Sequence, residues 1–336
     1  MIRRRPSGLV AVVLMLAVVL GARPQAYLKL GYRIDGRNVA LKWGRLPVRY
    51  FITDRGVTGV TSSQLQAAVG RAFNTWHDVS TAEVSSSFVG FTQANPFEDD
   101  GMSVIGFRER PELDRVLGAT TFLVDTVTAE ILEADIFFNS AFSWSVASGG
   151  ETNRYDLESI ALHEIGHLYG LGHSAIGETE LRPTGGRRVV ASEAVMFPIA
   201  FLPGNIEGRT LKSDDIAGIS DLYPTATFTQ RTGSITGRVT KNGKGIYGAH
   251  LVAMNPATGA LVGGFSLSDD GTFVIGGLDP GPHVVRAEPL DDADIESFFQ
   301  DVAKVDLDFK IKFFDRLAVV PRGGATRQLD VPVTPK

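Results

Sequence analysis

The sequence predicts an α+β chain in two parts: a mixed domain of strands and three helices, then an all-β sandwich. Three observations carry this reading. Its 336 residues suit about two domains at the usual ~100–200 residues each. Up to Pro224, β-branched and aromatic runs of strand length alternate with stretches of helical spacing, a strand, helix, then strands pattern that reads as α/β or α+β. From Gly233 onward, short β runs are separated by turns at Asn242–Gly243, Thr258–Gly259, Asp270–Gly271 and Pro280–Gly281. Turn signals at that spacing indicate a small antiparallel β-sandwich.

Taken in order, Tyr27–Ala40 reads as a weakly structured lead-in, and Val48–Ile52 as the first strand. Thr61 or Ser62 can cap a helix whose apolar stripe is Leu65, Ala68, Val69, Ala72, Phe73, Trp76 and Val79. Phe88–Phe91, Met102–Phe107, Leu117–Val124 and Ile131–Phe138 follow as strands, the first two separated by an acidic loop with Glu98, Asp99 and Asp100. Asp156 caps a helix running from Leu157 to Tyr169, which Gly170 can end in a left-handed conformation. A third helix starts at Ser213 with Asp214 and Asp215 at its positive end, and Pro224 stops it. Thr225–Thr232, polar and unpatterned, reads as a linker. Ser234–Val239, His250–Met254, Thr272–Ile275 and His283–Ala287 are the strands of the sandwich. The expected division is therefore 1–22, 23–42, 43–226, 227–232 and 233–336.

The first of these pieces reads as an export signal. Arg3, Arg4 and Arg5 precede an unbroken apolar run from Leu9 to Leu20, and Gly21–Ala22 supplies small residues for cleavage. The competing reading, a membrane anchor, needs ~20 apolar residues, more than the run provides. The expected location is secreted, extracellular or periplasmic, with no membrane span once the signal is removed. A net charge of −5, with no basic cluster beyond the first few residues apart from the pair Arg187–Arg188, argues against nucleic acid as a partner. The chain has no cysteine, which removes disulfides, thiolate ligands and cysteine nucleophiles together.

Chemistry concentrates in His163-Glu164-Ile165-Gly166-His167-Leu168-Tyr169-Gly170-Leu171-Gly172-His173. Residues four apart share one helix face, so His163 and His167 supply half of a tetrahedral zinc shell. Glu164 is placed to reach a metal-bound water as general base. Gly170 permits the turn that brings in His173. Three neutral imidazoles leave the fourth position to water, the open arrangement of a catalytic metal. HExxH alone is only suggestive; the added glycine and third histidine make the pattern specific. The remaining histidines, His77, His250 and His283, are scattered and read as structural.

This segment resembles the metzincin sequence HExxHxxGxxH, and Ser174 after it resembles the matrixin branch. Ala194-Val195-Met196-Phe197-Pro198 is similar to the methionine turn that metzincins carry beneath the metal, with Met196 the candidate; Pro198 stands where astacins and serralysins have tyrosine. Leu65–Val79 and Leu211–Pro224 resemble the first and last matrixin helices, so the likeness runs from about Trp43 to Pro224. It implies a twisted, mostly parallel sheet with three helices and a secreted endopeptidase with one catalytic Zn2+ acting on protein or peptide substrates. The substrate is expected extended along the strand near Leu117–Thr121, with Pro198-Ile199-Ala200 in the pocket wall.

Departures from the family matter too. Histidines that hold a second, structural zinc in animal matrixins have no counterpart in Val116–Thr121 or Ala134–Asn139, so one zinc per chain is expected. Glu98, Asp99, Asp100 and Asp135 offer oxygen ligands for Ca2+, with a plain solvated acidic loop as the alternative. The long stretch between Ser174 and Met196 is expected to be a mobile loop beside the cleft. Gly233–Ala287 resembles carboxypeptidase-regulatory-like, transthyretin-like sandwiches, a candidate for binding protein or glycan. The contrasting functional reading is a non-catalytic zinc protein or surface adhesin acting through that sandwich. Since every candidate site residue precedes Thr225, a chain ending there is expected to fold and cleave peptides alone.

Overall fold

The computed structural model describes residues 28–34, 37–183, 187–290, 293–299 and 302–336; the export signal expected at 1–22 lies outside them. The chain opens with β1 (Gly31–Ile34), β2 (Arg37–Ala40) and β3 (Lys42–Trp43), then β4 (Val48–Thr53) and α1 (Ser62–His77). Next come β5 (Ser86–Thr92), β6 (Ser103–Arg108), β7 (Gly118–Asp125) and β8 (Glu130–Asn139). A short parallel pair, β9 (Trp144–Ser145) and β10 (Tyr155–Asp156), leads into α2 (Leu157–Leu168). The main sheet has the order β5-β4-β6-β8-β7, with β3 alongside the start of β8. All its pairings are parallel except β7 on β8. Parallel neighbours need a crossover, and α1 is the crossover between β4 and β5.

The termini of α1 show why it forms there. Thr61 Oγ1 accepts from Gln64 N at 3.2 Å while Gln64 Oε1 accepts from Thr61 N at 2.9 Å, a reciprocal capping box. The stripe from Leu65 to Trp76 is buried, and Val79 is buried just beyond the helix end. α1 packs on α2, and the Trp76 indole N–H donates to Leu162 O at 2.9 Å. The core between sheet and helices joins Tyr50, Ile52, Phe73, Ile105, Ile136, Phe138, Leu162, Ile165 and Leu168.

After α2 come β11 (Gly177–Leu181) and β12 (Arg187–Ser192), then α3 (Ser213–Leu222) and a one-turn α4 (Phe228–Arg231). The C-terminal region contains β13 (Gly233–Lys241), β14 (Lys244–Gly245), β15 (His250–Met254), β16 (Leu261–Phe265), β17 (Thr272–Leu278), β18 (Gly281–Glu288), β19 (Lys312–Phe313), β20 (Ala318–Val320) and β21 (Leu329–Val333). One sheet gathers β13, β14, β17 and β21, the other β15, β16, β18, β19 and β20. Both contribute to one buried cluster that includes Ile235, Val239, Leu251, Phe273, Val285, Phe309 and Val331. No helix among the described residues is long and apolar enough to cross a membrane.

Three expectations are corrected. The described lead-in is not weakly structured: β1 and β2 pair as a hairpin, Leu28, Leu30 and Leu41 are buried, and Lys29 bridges Leu171. Its order comes from a partner far along the chain, which local pattern does not reveal. The stretch after Ser174, expected as a loop, carries the antiparallel pair β11–β12 on either side of 184–186, tied across by Arg188 with Glu180 and by Arg187 with Thr179 at 3.0 Å. The polar linker contains α4, because Phe228 is buried and so fixes the chain there.

The two regions also share elements. Ala217 of α3 belongs to the C-terminal core, whereas Ile219 and Leu222 belong to the first. Leu28 of the lead-in packs with Phe265, Leu267, Leu290, Phe298 and Phe299 of the C-terminal region.

Candidate metal centre

The site begins with α2. Asp156 Oδ2 accepts from Ser159 N at 2.9 Å, fixing the first turn, and Arg209 pairs with the same carboxylate. Gly170, at φ +101°, then ends the helix; the carbonyl of Leu41 lies 2.2 Å from where a Cβ would stand. Gly172 is equally constrained, since its Cβ would meet Leu28 O at 2.8 Å, and its N–H donates to that oxygen at 2.7 Å. The glycines of the motif thus admit both a left-handed turn and the lead-in lying against it.

On this frame His163, His167 and His173 converge. Their candidate ligand atoms all lie within 4.8 Å of one another. Nε2 of His167 is 3.0 Å from that of His163 and 3.2 Å from that of His173. Each Nδ1 has a carbonyl acceptor: Val195 O for His163 at 2.7 Å, Leu171 O for His167 at 2.8 Å and Ser297 O for His173 at 2.7 Å. Donation from Nδ1 fixes the tautomer and leaves three Nε2 lone pairs aimed at one point. Burial lowers all three histidines below the usual imidazole range, His163 to about 3, so they stand neutral. Neutral, convergent and externally braced imidazoles suit zinc.

The methionine turn lies beneath. A Cβ on Gly166 would sit 2.3 Å from Met196 Sδ and 2.9 Å from Trp76, so any larger residue there has to displace the methionine side chain or the indole. Val195 N and Met196 N donate to Asp215 at 2.8 and 3.0 Å, and Lys212 N adds a third bond at 2.9 Å. Burial nevertheless pushes Asp215 up to about 7. Asp215 thereby holds the turn whose Val195 carbonyl orients His163.

Glu164 is buried on the same helix, against β7. Thr120 Oγ1 lies 2.8 Å from Glu164 Oε2 and 3.0 Å from Glu164 O, and its one proton serves either. Burial raises the Glu164 carboxyl to about 7, with the Thr120 hydrogen bond opposing. A Cβ on Gly118 would stand 3.2 Å from Glu164 Oε1, so the strand comes close to the carboxylate. The outer edge of β7 pairs with no strand among the described residues.

The acidic loop is organised from β8. Asp135 accepts from Val104 N at 2.7 Å and from the N–H groups of Phe97 and Glu98, and Glu133 accepts from Gly101 N at 2.6 Å. Asp135 is thus committed to backbone donors. His77, His250 and His283 stand apart from the cluster, hydrogen-bonded to Tyr169, Glu288 and the Gly281 carbonyl respectively.

Sequence reasoning did not find Thr120, Asp215 or Ser297. A polar residue on the inward face of an edge strand was the signal for Thr120. Asp215 was visible only as a helix-start carboxylate, and nothing local marks Ser297.

A helix carrying HExxH, a glycine turn delivering the third histidine and a methionine turn below, all under a mostly parallel sheet, define a metzincin-type metal centre. The sequence model of the family described as matrixin matches residues 42–224, over half of the chain, and the chain belongs to that family. The histidine cluster fits the catalytic zinc of that family. Metalloendoproteinase 1 of Glycine max is 29% identical over 170 residues, covering 47% of this chain and 45% of that protein. Metalloendoproteinase 2-MMP of Arabidopsis thaliana is 29% identical over 175 residues, 48% of this chain and 38% of that protein. The chain therefore spans less than half the length of these relatives. Among solved structures, the Bacillus anthracis TIE protein aligns over 31% of this chain and 17% of its own, at 17% identity and a TM-score of 0.21, too low to carry an argument.

Proposed function

We propose that this chain is a zinc-dependent endopeptidase that hydrolyses peptide bonds of protein substrates outside the cytoplasm. The observation that carries the reading is the convergence of three braced Nε2 lone pairs, with Glu164, on the helix of His163 and His167, beside β7, whose outer edge pairs with no strand among the described residues. His163, His167 and His173 would hold one zinc, which when bound lowers the pKa of a water toward ~7 and polarises the substrate carbonyl. Glu164 takes the proton from the attacking water and passes it to the departing amine nitrogen. Burial raises the Glu164 carboxyl above the usual carboxylate range, which favours its uptake of that proton. The Thr120 hydroxyl, 2.8 Å from Oε2, orients the carboxylate. The edge of β7 offers backbone donors and acceptors to an extended peptide, which would add as a further strand. Pro198-Ile199-Ala200 would line the side-chain pocket. The charged and apolar leader at 1–22 supports export.

The test is Glu164→Gln assayed on casein. Loss of the general base is expected to lower turnover by at least ~10²-fold with zinc content unchanged. A variant as active as the parent would sink the assignment. Chelation should abolish cleavage, and added zinc should restore it.

A further inference from the structure

We propose that the C-terminal region is a working part of the metal centre: the backbone carbonyl of Ser297 positions the third ligand, His173. The inference rests on the zinc reading above. His163 and His167 sit on α2, and their Nδ1 acceptors, Val195 and Leu171, come from the same matrixin segment. His173 lies in the turn beyond Gly172, where no helix restrains its ring, and its Nδ1 acceptor is Ser297 O at 2.7 Å. One bond from the C-terminal region thus sets the tautomer and plane of the third ligand.

That carbonyl belongs to a hydrogen-bonded turn. Ser297 closes a 3-10 turn, Ile295–Ser297, in which Ser297 N donates to Asp294 O and both Phe298 N and Phe299 N donate to Ile295 O, each at 2.9 Å. Phe298 and Phe299 are buried, and both rings pack on Phe265 of β16. Phe298 also presents its ring edge-on to His173, with centroids 6.3 Å apart.

Independent contacts dock the two regions at this point. Gly263 N of β16 donates to the buried Asp214 Oδ1 of α3 at 2.8 Å, and Ala217, on the same helix, lies in the C-terminal core. Arg187 of β12 stands 3.7 Å from Asp294 at the start of the turn. Removing an outer partner of a metal-bound histidine typically weakens metal binding by ~10–100-fold. Zinc affinity should therefore report whether the C-terminal region is docked, and a chain ending near Thr225 should hold zinc weakly, contrary to the expectation from sequence.

The test uses the full chain. Phe299→Ala loosens the turn without touching His173, and Phe299→Leu keeps an apolar anchor. Zinc dissociation constants come from chelator competition, and the cobalt-substituted absorption spectrum reports ligand geometry. Phe299→Ala should bind zinc ~10–100-fold more weakly with an altered cobalt spectrum, while Phe299→Leu stays near the parent. A folded Phe299→Ala protein with parental affinity and spectrum overturns the proposal. Should that variant not fold, nitrogen-resolved NMR of the unmutated zinc-loaded chain decides. A slowly exchanging His173 Nδ1 proton with a nuclear Overhauser contact to Ser297 supports it, and lack of that contact overturns it. A chain that shows the contact but cleaves no peptide sinks only the peptidase reading.

Discussion

At the scale of single residues, the centre depends on groups that never touch the metal. Gly166 is one, because Met196 Sδ and the Trp76 ring fill the space of its missing side chain. Gly166→Ala should lower stability by ~1–3 kcal/mol, as overpacking does, read as a shift in the urea midpoint; an unchanged midpoint would mean the methionine turn yields freely. Asp215→Ala should cost more. It leaves the N–H groups of Val195, Met196 and Lys212 without their acceptor, at ~1–3 kcal/mol for each that stays dry.

Asp135 adds a pH dependence. Burial pushes it up to about 7 from 3.8, against the pull of its backbone donors. Between those values the folded state holds a proton that the unfolded chain has released, so this contribution to stability is present at low pH and declines as pH rises from about 4 to 7. Urea unfolding at pH 5 and pH 8 should show the parent losing more stability on going to pH 8 than Asp135→Leu loses. Equal losses would remove Asp135 as the cause.

At the scale of elements, α2 and the glycine turn after it form a unit with the lead-in. Leu30 N donates to Gly170 O at 2.9 Å, Leu28 O accepts from Gly172 N, and Lys29 pairs with Asp221 of α3. Gly170→Ala meets two obstacles, a positive φ and the Leu41 carbonyl. The strained backbone alone costs ~1–3 kcal/mol, and the turn that places His173 should shift. The expected result is a lower melting temperature together with weaker zinc binding in chelator competition; intact zinc affinity would show that the turn tolerates displacement.

At the scale of the molecule, α3 is the shared beam. Its Asp215 supports the methionine turn, its Asp214 receives β16, and its Ala217 enters the C-terminal core. A carboxylate introduced by Ala217→Asp would be buried without a partner, which costs several kcal/mol. Because α3 belongs to both cores, hydrogen exchange should quicken in α2 as well as in β13 and β17. Protection lost only in the C-terminal strands would show that the regions unfold independently. Metal analysis of the dialysed chain should return about one zinc, since His163, His167 and His173 are the one such cluster among the described residues.

Sequence alone determined what is local. The spacing of His163, Glu164 and His167 sets their faces because helical periodicity is a short-range property, and Gly170 marks the turn because few residues adopt a positive φ. Thr61 or Ser62 and Asp156 announce helix starts for the same reason, and alternating apolar runs announce the strands of both regions. Tertiary structure decided what depends on partners distant in the chain. The lead-in became ordered because Leu28 and Leu30 find the glycine turn and the C-terminal aromatics. Asp215 became the support of Met196 because α3 folds back under it. Ser297 became the brace of His173 because Phe298 and Phe299 bury themselves on Phe265. A backbone carbonyl carries no signature in its residue type, so that last contact has no trace in the sequence; only the packing of two cores against α3 brings it to the histidine.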